Sequence, residues 1–511
     1  MDEERRRELI RKKKRLEAKK RRHRKVIRNR IFFGMFLVVI LLVVILVIVR
    51  GTGNKKVTTA ESQTSSAMEE TESSISEVSS ASDTMESSAD TVVTEGQDVY
   101  DAAKCLAAMY DYDGAIEKLE SYEGYENMPA FTEAISTYTS QKEACVAADV
   151  ESVPHVFFHS LLNDDRGFIA EESSDFVARD NGCWMCSVNE FNTMIQQMYD
   201  AGYVLVRLRD LVVQTTDENG NVHFEKNNSL MLPEGKKPLV MSEDDLSYYH
   251  AYENQGIASK LVLDENGDVK CEYTNASGET LVGNYDMVPL LNAFIEEHPD
   301  FSYHNAHAII ALTGYNGVFG YRTDSVYKTL DPEHLDDNQA VWLAEHPEFD
   351  YDEDVAEATK IANALKEEGW EFASHTWGHR HADTASVEDL QTDNEKWVNT
   401  VEPIVGKVDT IIFAHGSDIA GDEDYTEDNA KYSYFKSCGY NFFCNVDGST
   451  PVWMQFRSDY VRSGRINLDG YRLYQTMIGN ENSVNVMNYL GIHDIADFFD
   501  NNRIQPVEIP E

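Results

Sequence analysis

From Pro154 onwards, short apolar runs alternate with stretches of helical periodicity, and this alternation constrains the fold more than any other feature. Parallel strands need a long crossover between them, which is usually a helix. The pattern therefore predicts an α/β protein built on a parallel sheet. The predicted strands are residues 156–158, 203–208, 239–241, 308–312, 371–374, 410–414 and 441–445, and the predicted helices are residues 191–202, 355–368, 387–405 and 432–438.

Polar residues follow several of these strands directly, namely Asp244, Asp245, His375 and His415. The carboxyl ends of parallel strands meet at one end of a barrel or sheet, so these side chains are expected to lie together. His375 and His379, four residues apart, can face one metal ion, and an aspartate from elsewhere supplies a third ligand. One acid and an open coordination position remain, which suits metal-assisted hydrolysis.

Four segments of different character precede this domain. Residues 1–30 are rich in Lys and Arg and predict a cytoplasmic tail. The apolar segment that follows at residues 31–50, without a charge from Ile31 to Val49, is long enough for one transmembrane helix. Residues 51–96 are rich in Ser, Thr and Glu and predict a disordered linker. Residues 97–150 show helical periodicity, and Tyr112 to Ile116 looks similar to the turn of a tetratricopeptide-like repeat. The domain from residue 151 to 511 is then expected outside the cell, with the protein held in the cell membrane by a single pass.

Charge restricts the partners of that outer domain. The whole chain has a formal net charge of −44, although its first thirty residues are basic, so the remainder is more acidic still. An acidic surface repels nucleic acid and tolerates neutral or cationic polymers. We therefore expect no nucleic-acid partner.

The order of motifs in residues 152–506 resembles that of polysaccharide deacetylases, in particular those that act on poly-N-acetylglucosamine. Val153 to Ser160 is similar to their opening "VPVLMYHS" motif, Met241 to Leu246 stands where they have "TFDDG", and Ser374 to His379 matches "SHTxxH". Thr410 to Gly416 resembles "FAYPYG", and Gly439 to Phe443 resembles the segment that follows it. A long insertion at about residues 251–300 interrupts the pattern.

This resemblance implies a NodB-type deformed (β/α) barrel that removes acetyl groups from an N-acetylated polysaccharide with the help of a divalent metal. Carried over residue by residue, Asp244 is the general base, and Asp245, His375 and His379 are the metal ligands. Zinc is the expected metal, with cobalt or nickel as alternatives. The resemblance also implies that His159 lines the site and contacts substrate; a structural histidine bonded to the backbone is the alternative. The family's general acid belongs to a late "LxxH" motif, whose literal match here is Leu490 to His493. We expect His415, at a strand end, to act as the acid in its place, with His493 as the alternative.

Several positions depart from the family pattern and keep other functions open. Glu243 replaces a Phe, Leu246 replaces a Gly, and the third motif has lost its Pro and Tyr. A second hypothesis is therefore a degenerate domain that binds glycan or scaffolds the cell envelope without turnover. A third is a metal-dependent hydrolase of another amide or ester.

The seven cysteines are an odd number and do not decide the redox state. Cys183 and Cys186 have the spacing of a redox pair or a metal clip, and Cys438 and Cys444 are a second candidate disulfide. Free buried thiols are the alternative for both pairs.

Overall fold

The computed structural model describes residues 96–169, 175–331 and 333–510, which lie within one compact unit. The predicted basic tail, transmembrane helix and nearly all of the predicted linker lie outside the described residues. Seven strands form the centre of the described part, labelled here in chain order: β1 His155–His159, β2 Lys237–Asp244, β3 Ile309–Leu312, β4 Glu371–Ser374, β5 Thr410–Ile412, β6 Phe442–Val446 and β7 Val461–Asn467.

These strands form a closed parallel barrel. Each strand pairs in parallel with the next one in the sequence, and β7 pairs back with β1 through Arg465 and His155. The contact between β4 and β5 rests on one residue pair, Ser374 with Ile411. The ring is therefore closed but irregular, and its strand order follows the chain order throughout.

Alternate residues of each strand face the inside of the barrel. Val240, Ile309 and Phe442 belong to an apolar cluster at its centre. Towards the carboxyl ends of the strands the inward residues become polar, as in Ser242 and Asp244 on β2. The packed apolar interior thus supports a polar layer at one end of the barrel.

Helices connect the strands and cover the outside of the barrel, and their ends follow from local sequence. The Val188–Asp200 helix starts with a capping box between Ser187 and Glu190 and buries Phe191, Met194, Ile195 and Met198. The Tyr351–Glu368 helix ends at Gly369, which has a φ of 107° and lies where a Cβ would meet the carbonyl of Asn305 at 2.1 Å. The other helices after residue 150 are Asp175–Trp184, Met287–Glu297, Ser325–Thr329, Asp337–Glu345, Val387–Thr400, Glu402–Val405, Ala430–Cys438, Gly470–Met477, Glu481–Leu490 and Ile495–Phe498.

The insertion between β2 and β3 folds into its own small sheet and a helix. Strands Lys260–Leu263, Val269–Thr274 and Thr280–Gly283 form an antiparallel sheet, and the Met287–Glu297 helix follows. Asp286 caps this helix and also accepts a hydrogen bond from the backbone N–H of Leu161, which follows β1. The insertion is therefore attached to the rim of the barrel near the ends of β1 and β2.

Three helices precede the barrel, Gln97–Ala108, Tyr112–Glu120 and Pro129–Ala144, and they share an apolar cluster with Val204 and Leu232. The remaining strands are Val146–Ala147, Tyr203–Leu205, Val212–Thr216, Val222–Lys226, Met231–Leu232 and Trp453–Phe456, and short 3-10 turns lie at Tyr125–Asn127, Asp165–Phe168, Leu208–Leu211, His250–Tyr252, Pro299–Phe301, Tyr303–Asn305 and Ala414–Gly416. Among the described residues, no helix combines the length and hydropathy needed to cross a bilayer.

The structure changes several details of the sequence-based elements. The strand predicted at residues 239–241 runs from Lys237 to Asp244, so it includes the first acid of the pair. The predicted helix at residues 387–405 is two helices, because Pro403 lies in the first turn of the second one. Strand β7 was not predicted. All seven cysteines are free thiols, so neither candidate pair is a disulfide here.

Candidate metal centre

The polar end of the barrel holds several unusual backbone conformations. Asp245, Thr376, His379 and His415 have φ values of 62°, 59°, 50° and 57°, in the left-handed region that non-glycine residues rarely adopt. All four follow the carboxyl ends of β2, β4 or β5. Such conformations persist where the surrounding structure fixes them, and they are concentrated at functional sites.

Asp245, His375 and His379 come together at this end of the barrel. One donor atom from each residue lies within 4.8 Å of the other two, and among the described residues this is the group with the composition and spacing of a metal site. His379 Nε2 lies 3.6 Å from Asp245 Oδ2. The structure thus brings together the three residues that the sequence predicted as ligands.

Hydrogen bonds orient two of these ligands. His375 Nδ1 lies 2.7 Å from the carbonyl oxygen of Ile412, which can only accept, so Nδ1 carries the proton and Nε2 is left free. Tyr249 Oη donates to Asp245 Oδ1 at 2.6 Å. Outer partners of this kind fix the tautomer and direction of metal ligands. An Asp/His/His donor set with these orientations fits a divalent ion such as zinc, cobalt or nickel.

Asp393 holds the loop that carries the two histidines. Its carboxylate accepts hydrogen bonds from the backbone N–H of Trp377 at 2.6 Å and of Gly378 at 2.9 Å. Asp393 lies on the Val387–Thr400 helix, so a rigid element fixes the turn between His375 and His379. The four-residue spacing is therefore realised in an anchored turn instead of a helix.

Asp244 is buried beside the triad of Asp245, His375 and His379 and is paired with Arg465 of β7. The two guanidinium nitrogens of Arg465 donate to the two carboxylate oxygens of Asp244 at 2.7 and 2.9 Å. Burial alone would raise the pKa of Asp244, but Arg465, followed by His375, holds the pKa well below its usual value. Asp244 is therefore ionised at neutral pH. Arg465 could not be predicted from the sequence, because no motif contains it.

A buried chain of hydrogen bonds holds the side chain of Arg465 in place. Arg465 donates to Ser242 Oγ at 3.2 Å, and Ser242 lies 3.1 Å from Nε2 of His155. His155 Nδ1 lies 3.1 Å from Ser463 Oγ. Burial, and then the charge of Arg465, lower the pKa of His155 well below its usual value, so this ring is neutral. The chain fixes the guanidinium that faces Asp244.

His159 ends β1 and lines the same cavity as the triad. Its Nδ1 lies 3.1 Å from the carbonyl oxygen of Trp184, so Nδ1 donates and Nε2 remains available. Burial raises the pKa of Asp180 and of Asp469, and the nearby His159 acts on both in the opposite direction. His159 is thus a half-buried imidazole next to two carboxylates.

The structure places the two histidines predicted as the acid very differently. His415 contacts His379 with ring centroids 4.1 Å apart and stacks on His381 at 3.7 Å. Its Nε2 donates to the carbonyl oxygen of His379 at 3.2 Å. His493 is exposed beside Gln197 and does not line the cavity. His415 therefore belongs to the site geometrically, whereas the structure does not bring His493 to it.

The triad, Asp244, His159 and His415 all line one open cavity of about 700 Å³. A volume of this size accommodates a small ligand or part of a polymer. Aromatic rings form much of the remaining wall, including those of Phe157, Trp184, Tyr249, Tyr252 and Tyr471. A substrate can therefore reach the triad and contact flat apolar surfaces around it.

No protein-family model matches this sequence, and no curated protein matches it. Among solved structures, the described fold is distantly similar to the Streptococcus pyogenes deacetylase PplD in complex with acetate. The sequences are 11% identical over 66% of this chain and 97% of that chain, with a TM-score of 0.31. A similarity this low does not establish a common activity.

Proposed function

We propose that this chain is a metal-dependent hydrolase that removes acetyl groups from an N-acetylated polysaccharide containing N-acetylglucosamine. One observation carries the proposal: the Asp245, His375 and His379 triad lies beside an ionised, buried Asp244 at an open cavity. A divalent ion held by the triad would act as a Lewis acid and lower the pKa of a water molecule. We take zinc as the expected ion, with cobalt and nickel as alternatives.

Asp244 is the residue proposed to accept a proton from the attacking water. Its carboxylate lines the cavity, is ionised, and is held by Arg465 in one orientation. The two N–H groups of Arg465 occupy one acceptor position on each oxygen, and a carboxylate has about four such positions. Asp244 therefore retains the capacity to accept a proton on the side that faces the cavity.

His159 is better suited than His415 to protonate the leaving nitrogen. Burial, and then the neighbouring His379 and His381, lower the pKa of His415, and its Nε2 proton is donated to a backbone carbonyl. A neutral His415 has no second proton to give. His159 instead lines the cavity with its Nδ1 bonded to a backbone carbonyl, which leaves Nε2 available, and the carboxylates of Asp180 and Asp469 lie near this ring. We therefore assign the role of general acid to His159, for which the sequence had predicted only contact with the substrate.

The proposed reaction is a hydrolysis in which every bond and proton is accounted for. The water oxygen bonds to the acetamide carbon, the carbon–nitrogen bond breaks, and one proton passes to Asp244 and one from His159 to the nitrogen. The products are acetate and a free amine on the sugar. Two candidate acid–base residues on one cavity wall support turnover over the alternative of a glycan-binding domain without catalysis.

The test is acetate release by the full-length protein from N-acetylglucosamine oligomers. We expect about one divalent ion per chain, loss of acetate release after treatment with a chelator, and recovery with zinc, cobalt or nickel. Acetate release that persists without metal would contradict the proposal. Bound metal and bound glycan without acetate would favour the binding domain instead.

Replacing the two histidines separately tests the acid assignment. We expect His159→Asn to lower kcat by about 10²- to 10⁴-fold, the usual contribution of a general acid. His415→Asn, on the same cavity, is the matched control and should keep most of its kcat. The reverse pattern would return the acid to His415.

We further propose that residues 31–50 anchor the protein in the cell membrane, with the N-terminus in the cytoplasm and the hydrolase domain outside. The basic residues before the apolar segment support this orientation. The acidic remainder supports a neutral or amine-bearing glycan as partner over nucleic acid.

A further inference from the structure

A second cavity of about 310 Å³ adjoins the one that contains the triad. Tyr248, Tyr249, Tyr252 and Ile257 line both cavities. The insertion supplies much of the second cavity, through residues such as Lys260 and Glu272. The two cavities are thus neighbours separated by a wall of tyrosine rings.

Tyr249 connects the second cavity to the metal-binding triad. Its hydroxyl donates to Asp245 Oδ1 at 2.6 Å, while the same residue also lines the second cavity. A group in the second cavity therefore lies one aromatic side chain away from a proposed metal ligand. Two cavities this close can each hold one of two adjacent units of the same polymer.

The second cavity combines aromatic and charged side chains. Tyr252, Tyr321 and Trp342 present ring surfaces to it. Lys260 pairs with Glu272 at 3.5 Å, and Arg322 pairs with Glu253 at 3.3 Å. Rings beside hydrogen-bonding groups are the usual composition of a small-ligand site.

Asp354 also lines this cavity, and its carboxylate belongs to neither of these two ion pairs. Its Oδ2 accepts a hydrogen bond from the backbone N–H of Arg322 at 2.7 Å. The lining thus holds three carboxylates, Glu253, Glu272 and Asp354, against the cations Lys260 and Arg322. The surplus negative charge favours a neutral or cationic ligand and disfavours an anionic one.

Arg322 lines this cavity and has one donor without a partner among the described residues. The residue is 4% exposed, and its Nε is buried without a hydrogen-bond partner in the described part of the chain. Its other nitrogens bond the carbonyl of Tyr248 and the carboxylate of Glu253. A buried unsatisfied donor is costly, so such groups call for an explanation.

We propose that the second cavity is a subsite for a neighbouring sugar unit of the same glycan, one that carries no negative charge. This inference rests on the proposed function. The rings contact the apolar face of the sugar, Asp354 and Glu272 accept from its hydroxyl or amine groups, and Arg322 donates to a hydroxyl oxygen. The insertion thereby makes the site selective for a chain over a single sugar.

The test compares kcat/KM for acetate release from N-acetylglucosamine and its dimer, trimer and tetramer, with the full-length metal-loaded protein. We expect kcat/KM to rise with length, and Asp354→Ala to remove at least about tenfold of this gain, since hydrogen bonds to charged groups are strong. Asp352→Ala is the matched control on the same helix, because Asp352 is 85% exposed and does not line the cavity. Asp352→Ala should keep the full rise of kcat/KM with length.

If Asp354→Ala does not fold, Glu272→Gln, on a different element, tests the same loss of the gain in kcat/KM with length. Equal kcat/KM for all lengths, or a gain that survives both Asp354→Ala and Glu272→Gln, would overturn the subsite while leaving the proposed function standing. Absence of acetate release at every length would instead remove the proposed function, and the subsite with it. Faster turnover of oligomers that carry a carboxylate on the second unit would also contradict the proposal.

Discussion

Asp244→Asn is expected to lower kcat for acetate release by about 10²- to 10⁴-fold, the contribution of a positioned general base, while the metal stays bound. The amide cannot take the proton that the ionised carboxylate takes, and Asp245, His375 and His379 are unchanged. Metal content by elemental analysis and kcat from acetate release, measured on the same preparation, check both parts of this expectation.

Asp244→Asn also breaks the buried ion pair with Arg465. A suitable control is therefore a variant that breaks a comparable buried ion pair away from the cavity. Breaking a buried pair costs about 3–5 kcal/mol of stability, because Arg465 is 0% exposed and would keep an uncompensated charge. Asp418→Asn breaks the pair with Arg462 on the same strand, at 3.0 Å and equally buried. This control should lose comparable stability in denaturant unfolding and keep its turnover. Turnover that is unchanged in Asp244→Asn would refute the assignment of the base.

His379→Ala is expected to release the metal and reduce acetate release to the level of the chelator-treated protein. Two ligands remain, and the loss in metal affinity should exceed the roughly 10- to 100-fold cost of removing an outer partner of a ligand. Competition with a chelator of known affinity measures the change directly.

His381→Ala is the matched control for this ligand. His381 lies two residues further along, is exposed, and stacks on His415 without belonging to the triad. It should bind metal as the unchanged protein does. Equal metal affinity in the two variants would show that the ion, if bound, does not lie at the proposed triad.

Six of the seven barrel strands could be predicted from apolar runs, and β7 shows why the seventh could not. Ser463 and Arg465 face the inside of the barrel, where they meet His155 and Asp244. Arg462 packs on the opposite side, over the rings of Tyr425 and Trp453. Arginines on both faces remove the alternation of apolar and polar residues by which strands are recognised.

The candidate site was predictable to the extent that it depends on spacing and on strand ends. His375, His379 and Asp245 were expected together for those reasons, and the structure brings them together. Arg465 could not be found this way, since its role depends on a strand that returns to β1 from the far end of the sequence. The direction of hydrogen bonding at His159 and His415 is likewise a property of the fold and not of any motif.

Two parts of the site depend on different contacts within the barrel, and these contacts span different distances along the sequence. The triad depends on strands β2 to β4, which are consecutive, whereas Asp244 meets Arg465 across 221 residues and His155 meets Ser463 across 308 residues. Contacts between distant parts of a chain close large loops and are slow to form. We therefore expect the seam between β7 and β1 to form late in folding, so that the proposed base is fixed in place after the proposed metal ligands have come together.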